Sequence, residues 1–130
     1  MQVSKLEYER EFDRAKKYLE NRDDLSAIRD LEKLTERDQN NYEIWLYLGI
    51  AYRRIEDYEK AIESFRKVTE LQTSNEEAWG LLTITLIDQG NKDKATSALE
   101  EAARLNPTDE QILFLRDNLI QTYTKFGPFF

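Results

Sequence analysis

The stretch Asn41-Tyr42-Glu43-Ile44-Trp45-Leu46-Tyr47-Leu48-Gly49-Ile50-Ala51-Tyr52 decides the fold, together with Ala61 and Phe65 downstream. Its bulky residues recur at helical rather than strand spacing, and one small residue, Gly49, sits among them. Much of it returns 34 residues later. Trp45 is followed by Trp79, Leu48 by Leu82, and Ala61 by Ala95. The same step taken backwards reaches Tyr18 from Tyr52 and Ala27 from Ala61. Three polar segments share the register: Asp23-Asp24-Leu25-Ser26-Ala27, Asp57-Tyr58-Glu59-Lys60-Ala61 and Asn91-Lys92-Asp93-Lys94-Ala95. A fixed period of this length marks stacked repeats, each one supersecondary unit.

Working outward, the repeats fall at about 8–41, 42–75 and 76–109, with a capping helix and tail over 110–130. The residues of the second repeat (Trp45, Leu48, Gly49, Tyr52, Ala61 and Phe65) resemble the tetratricopeptide-repeat family. The third keeps Trp79, Leu82, Ala95, Leu99, Ala102 and Pro107, with Thr83 and Leu86 at the Gly and Tyr positions. The first keeps Ala15, Tyr18, Ala27 and Leu31, but has Glu11 and Arg14 at the Trp and Leu positions. Those two charges read as a terminal repeat with one face in water. The resemblance implies an all-α fold, a right-handed superhelix (α-solenoid) of antiparallel helix pairs, in one domain spanning 1–130.

Helix signals predict seven helices, near 5–20, 24–37, 41–54, 58–71, 75–88, 92–105 and 108–124. Ser4, Ser74 and Thr108 each open a capping box. Asp24, Asp57 and Asn91 are expected to cap the second helix of each repeat, and Asn40 or Asn41 the third helix of the chain. Gly90 suits a turn with positive φ. The repeat residues Tyr18, Ala27, Trp45, Leu48, Gly49, Tyr52, Ala61, Phe65, Trp79, Leu82, Ala95 and Pro107 are expected to be structural. The small ones let helices approach, and the large ones fill the space between them.

In this family the first helix of each repeat lines a concave surface. Helical spacing then assigns the groove. The expected lining is Phe12, Lys16, Leu46, Tyr47, Ile50, Arg53, Arg54, Gly80, Leu81, Ile84, Ile87, Phe114 and Leu115, with Gln121 further along. It is too apolar for a solvated face, so the expectation is that a partner covers it, the alternative being that part of it is ordinary core of a superhelix that closes on itself. Gly80 is expected to leave a gap where a ligand side chain docks. Lys16, Arg53 and Arg54 are expected to grip acidic groups. Family members that bind chaperone tails hold a C-terminal carboxylate with Lys, Asn and Arg. Here those positions carry Phe12, Lys16, Tyr47, Glu77 and Leu81, so that clamp is absent.

Composition narrows the function further. The chain has 130 residues, 40% apolar and 35% charged, and a net charge of −7, which disfavours nucleic-acid binding and adsorption to anionic membranes. It has no cysteine and no histidine, which removes thiol chemistry, thiolate metal sites and the commonest general base. The paired carboxylates Asp23/Asp24, Glu76/Glu77 and Glu100/Glu101 fall at caps or on solvated faces. No Gly-rich phosphate loop is present. The first residues, Met1-Gln2-Val3-Ser4-Lys5, do not form a signal peptide, and no apolar run is long enough to span a bilayer. No catalytic residue, metal or cofactor is expected. The expectation is a cytoplasmic, non-enzymatic module that binds an apolar peptide segment or amphipathic helix, as an adaptor or small chaperone. The alternative is a self-assembling scaffold subunit, a homo-oligomer that uses the groove or the tail Lys125-Phe126-Gly127-Pro128-Phe129-Phe130.

Overall fold

The computed structural model describes residues 5–118, and these hold seven helices and no strand. They are α1 (Lys5–Glu20), α2 (Asp24–Arg37), α3 (Tyr42–Arg54), α4 (Tyr58–Leu71), α5 (Glu76–Asp88), α6 (Lys92–Leu105) and α7 (Glu110–Asp117). The first six match the expected spans to within one residue. The last begins two residues later than expected. Ser4, Gln121 and the phenylalanine-rich tail lie outside the described residues.

The caps explain the boundaries. Asp23, not Asp24, caps α2, accepting from the Ser26 amide. Asn75, not Ser74, caps α5, accepting from the Ala78 amide, and Asp109, not Thr108, caps α7, accepting from the Gln111 and Ile112 amides. Each inter-helix turn holds several residues able to cap. An Asp or Asn oxygen placed beside the first turn wins over a hydroxyl one residue further out. Asn41, Asp57 and Asn91 cap as expected.

The turns inside the repeats are built alike. Arg22, Glu56 and Gly90 take positive φ, at 62°, 63° and 86°. In each turn the next amide reaches back five residues: Asp23 to the Tyr18 carbonyl at 2.8 Å, Asp57 to Tyr52 at 2.9 Å and Asn91 to Leu86 at 2.8 Å. This is the Schellman closure of a helix C-terminus. Only the third turn uses glycine for it.

The chain divides into two compact units, with the boundary inside α4 between Ser64 and Phe65. In the first, α2 packs against both α1 and α3, and α1 also touches α3. Ala15, Ala27, Ala51 and Ala61 are fully buried, as the close approach of helices requires. Leu31, Leu34 and Ile44 fill the space among them. In the second unit, α6 packs against α5 and α7, and α5 also touches α7. Trp79, Phe65, Leu82 and Ile112 supply the bulk, and Ala95, Ala98 and Ala102 the close contacts. Emptying a site such as Trp79 costs about 3–5 kcal/mol in lost transfer energy and cavity.

Both tryptophans are pinned by their indole N–H. Trp79 donates to the Thr73 carbonyl at 2.7 Å, and Trp45 to the Gln39 carbonyl at 2.9 Å. Trp79 is buried, but Trp45 and Tyr18 are only half-buried. Pro107 is exposed, so it ends α6 and leads into α7 without entering the core.

The two charges of the first repeat do not simply face water. Arg14 pairs with the buried Asp30, Nε to Oδ2 at 2.8 Å, and Glu11 pairs with Arg37. Both are bonds from α1 to α2. They stand where the later repeats carry Leu48 with Ser64 and Trp45 with Leu71.

Candidate functional site

In the first unit, α1 and α3 hold a small aromatic and cationic cluster at the edge of the core. The Phe12 and Tyr47 rings meet edge to face, with centroids 5.7 Å apart. The Lys16 ammonium lies 4.2 Å from the Phe12 centroid and 5.8 Å from that of Tyr47. Asp13 stands 4.0 Å from the same ammonium. The Lys16 stem covers aromatic surface while its charge keeps contact with water.

Phe12 and Leu46 were expected to line the groove, but they are core residues, 8% and 9% exposed. Helical spacing assigns them to α1 and α3 but does not show how far packing buries them. Tyr47 and Ile50 are half-buried and present one side to solvent. Arg53 is half-buried as well. Arg54 is committed internally. Its Nη1 donates to the Leu19 carbonyl at 2.9 Å and to Asp24 at 3.2 Å, so it ties the end of α3 to the turn after α1.

In the second unit, α5 carries Gly80, Leu81, Ile84 and Ile87, α7 carries Phe114 and Leu115, and the two helices touch. An added Cβ at Gly80 would meet Leu115 Cδ1 alone within 4 Å, at 3.9 Å, so Leu115 borders the gap expected there. Leu81, Ile87 and Leu115 are half-buried, whereas Ile84 is 38% exposed and Phe114 is 65% exposed. Phe114 leaves most of an aromatic side chain in water, at a cost of about 25 cal/mol per Å² of exposed apolar surface.

Thr83 and Thr85, on the same helix, are satisfied locally by donating to the Trp79 and Leu81 carbonyls at 2.8 and 2.6 Å. No buried side-chain polar atom is left without a partner among the described residues. Nor does any group of carboxylates gather there in a way that would hold a metal ion. Asp23 is a cap, Asp24 pairs with Arg54, and Glu101 pairs with Arg66 at 3.3 Å. No helix among the described residues is long and apolar enough to cross a membrane.

The perturbed groups lie away from these faces. Burial lifts the Tyr52 phenol well above its usual range, and its hydrogen bond to Glu32 adds to the effect. Hydrogen bonding to Asp30 raises the Arg14 guanidinium. Both are structural links, not reactive centres. Sequence reasoning missed the pairs Arg14–Asp30 and Glu11–Arg37. The available signal was that both members of each pair depart together from the pattern of the later repeats.

Two family models, each described as tetratricopeptide repeat, match residues 12–76 and 53–119. Comparison with the curated proteins found no match. Among solved structures, the Yersinia enterocolitica type III secretion chaperone SycD, in complex with a peptide of the translocator YopD, is similar. It gives a TM-score of 0.78 at 17% identity, covering 96% of this chain and 95% of that one. A chain of the CopN-Scc3 complex gives 0.79 at 16% identity, over 92% and 70%. The first repeat domain of Spaghetti (RPAP3), bound to an HSP90 peptide, gives 0.73 at 16% identity, over 95% and 98%. At these identities the likeness is one of fold.

Proposed function

Because the chain belongs to the tetratricopeptide-repeat family, we propose that it is a non-enzymatic interaction module that holds an apolar peptide segment or amphipathic helix on the faces of its first helices. The observation that carries this is the apolar surface left in water on those helices. Phe114 and Ile84 are exposed, and Tyr47, Ile50 and Leu81 are half-exposed. Such surface is expensive unless something covers it. The role is that of an adaptor or small chaperone. Lack of cysteine and histidine supports a non-catalytic reading, and lack of cysteine suits a reducing, cytoplasmic setting.

Two of the structures with this fold contain a bound peptide, and one is a complex with a second protein. That lends support to a polypeptide partner here. The test is titration of fluorescent apolar peptides against the chain and its Tyr47→Glu and Ile84→Glu variants, with helicity followed by circular dichroism. Loss of binding at constant helicity is the expected result. Undiminished binding in both variants would put the site elsewhere. Light scattering across a hundredfold dilution separates this from self-assembly, which would make the mass rise with concentration.

A further inference from the structure

Resting on that reading, we infer that the free edge of α7 docks one amphipathic helix of a partner protein, which continues the helix stack of the second unit with Phe114 as its anchor. The contacts inside each unit give the stacking rule. In the first unit, Phe12 on α1 meets Tyr47 on α3, ring against ring. In the second unit, the Cβ position of Gly80 on α5 meets Leu115 on α7. Both pairs span 35 residues, and Gly80 and Leu115 stand two repeat periods after Phe12 and Tyr47. The same repeat position therefore meets the next odd-numbered helix in both units.

Phe114 holds that position on α7, as Phe12, Leu46 and Gly80 do on α1, α3 and α5. Phe12 and Leu46 are buried and Gly80 is half-buried, but Phe114 is 65% exposed. Among the described residues no helix follows α7. Phe114 is thus a stacking residue that lacks its counterpart, and its exposure follows from its place at the end of the unit. A further helix laid against α7 would cover it as α3 covers Phe12.

The rule also selects the occupant. Where the contact is seen, the counterpart is a large apolar side chain, Tyr47 or Leu115. A second copy stacked end to end would bring α1, which carries Asp13 there, 72% exposed. That carboxylate would lose its water against an apolar ring, so a second copy fits poorly. Charge adds a requirement. Glu110, one turn before Phe114, is exposed, while Asp117 after it is held by Arg116 at 2.9 Å. In a helix stacked in the same direction as α7 on α5, the residue beside Glu110 comes four positions before the apolar anchor. The partner helix therefore carries Lys or Arg at i and Leu, Tyr or Phe at i+4 on one face.

The test titrates the full chain with three fluorescent, alanine-rich peptides: one with Lys at i and Leu at i+4, one with Ser in place of that Leu, and one with Pro between the two. The Lys–Leu peptide should gain helicity on binding and bind at least about tenfold tighter than the others. Phe114→Ser should weaken it about tenfold without unfolding the chain, because that side chain is exposed. Glu110→Gln should weaken it severalfold at low salt, and less as salt is added. Undiminished binding by Phe114→Ser overturns this inference, and if Ile84→Glu then abolishes binding, the interaction-module reading still stands. Equal binding of the proline peptide overturns a docked helix and leaves an extended segment. Loss through Glu110→Gln but not Phe114→Ser is mere charge adsorption and also overturns it. No binding by any peptide overturns both readings. A mass that rises with concentration, but not in Phe114→Ser, makes a second copy the occupant, and binding that appears only after residues 126–130 are removed makes it the chain's own segment. Either result overturns a foreign partner.

Discussion

Arg14 clasps Asp30 with two nearly parallel hydrogen bonds, Nε to Oδ2 at 2.8 Å and Nη2 to Oδ1 at 3.1 Å. The carboxylate is 2% exposed and the guanidinium side chain 56% exposed. The last repeat carries Leu82 and Ala98 at these two positions, and both are buried. A charged fork has therefore replaced an apolar pair at the start of the repeat array. Such a pair is costly to break and cheap to replace whole.

Arg14→Ala should accordingly cost about 1–3 kcal/mol, because it strands a buried carboxylate whose remaining cation, Arg29, sits 3.8 Å away. The double change Arg14→Leu with Asp30→Ala should recover most of that loss. Urea denaturation of the two variants checks this. A double variant less stable than the single one would mean that the ion pair contributes more than the apolar pair of the last repeat.

The Schellman turns predict a second effect. Arg22 and Glu56 hold positive φ, where an L side chain is strained and glycine is not. Arg22→Gly and Glu56→Gly should each stabilise by about 0.5–1 kcal/mol. Gly90→Ala should destabilise by a similar amount, although nothing lies within 4 Å of its Cβ position. Thermal melts would show the opposite signs.

Gly80 is different. It is helical, and an added Cβ would make an ordinary contact with Leu115 at 3.9 Å. Gly80→Ala should therefore raise stability by up to about 1 kcal/mol, the usual cost of helical glycine. Were the site instead a socket for a ligand side chain, the same change would weaken peptide binding at unchanged or higher stability. Measuring both quantities separates the two outcomes.

Alkaline pH should expose the Tyr52–Glu32 link. Tyr52 ionises near pH 10 when unfolded, and burial followed by the hydrogen bond to Glu32 lifts it further in the folded state. Above pH 10 the folded chain then holds a proton that the unfolded chain has lost. This contribution is full below pH 10 and declines as pH rises towards the folded value. Tyr52→Phe should flatten that decline in denaturation curves between about pH 10 and 11.5. An unchanged slope would place the alkaline sensitivity elsewhere, with Tyr8 as the next candidate.

Most of the helical frame was legible because it rests on a repeated pattern. Trp45 and Trp79, Ala27, Ala61 and Ala95, and the polar turns all hold one register, and the first six helices follow from it. The caps were less legible, because Ser74-Asn75 and Thr108-Asp109 each offer two adjacent candidates and only geometry chooses. The candidate site was legible by helix but not by exposure. Phe12 and Leu46 share helices with Lys16 and Tyr47, yet the first two are buried, and Leu115 borders the space beside Gly80. The Arg14–Asp30 and Glu11–Arg37 pairs stayed hidden because a charge at a core position reads as solvated until its partner on the neighbouring helix is in place.

The most direct test of the account is residue-by-residue mapping of a bound peptide. A short apolar peptide would be titrated into isotopically labelled chain, with amide and methyl shifts followed by NMR. The account predicts saturable shifts concentrated within one unit, either at Tyr47 and Ile50 on α3 or at Leu81 and Ile84 on α5 with Phe114 on α7. Leu25 on α2 and Leu105 on α6, exposed by 70% and 42%, should stay unmoved. Shifts that gather instead at Leu25 and Leu105 would contradict it, because the second helices would then carry the binding surface.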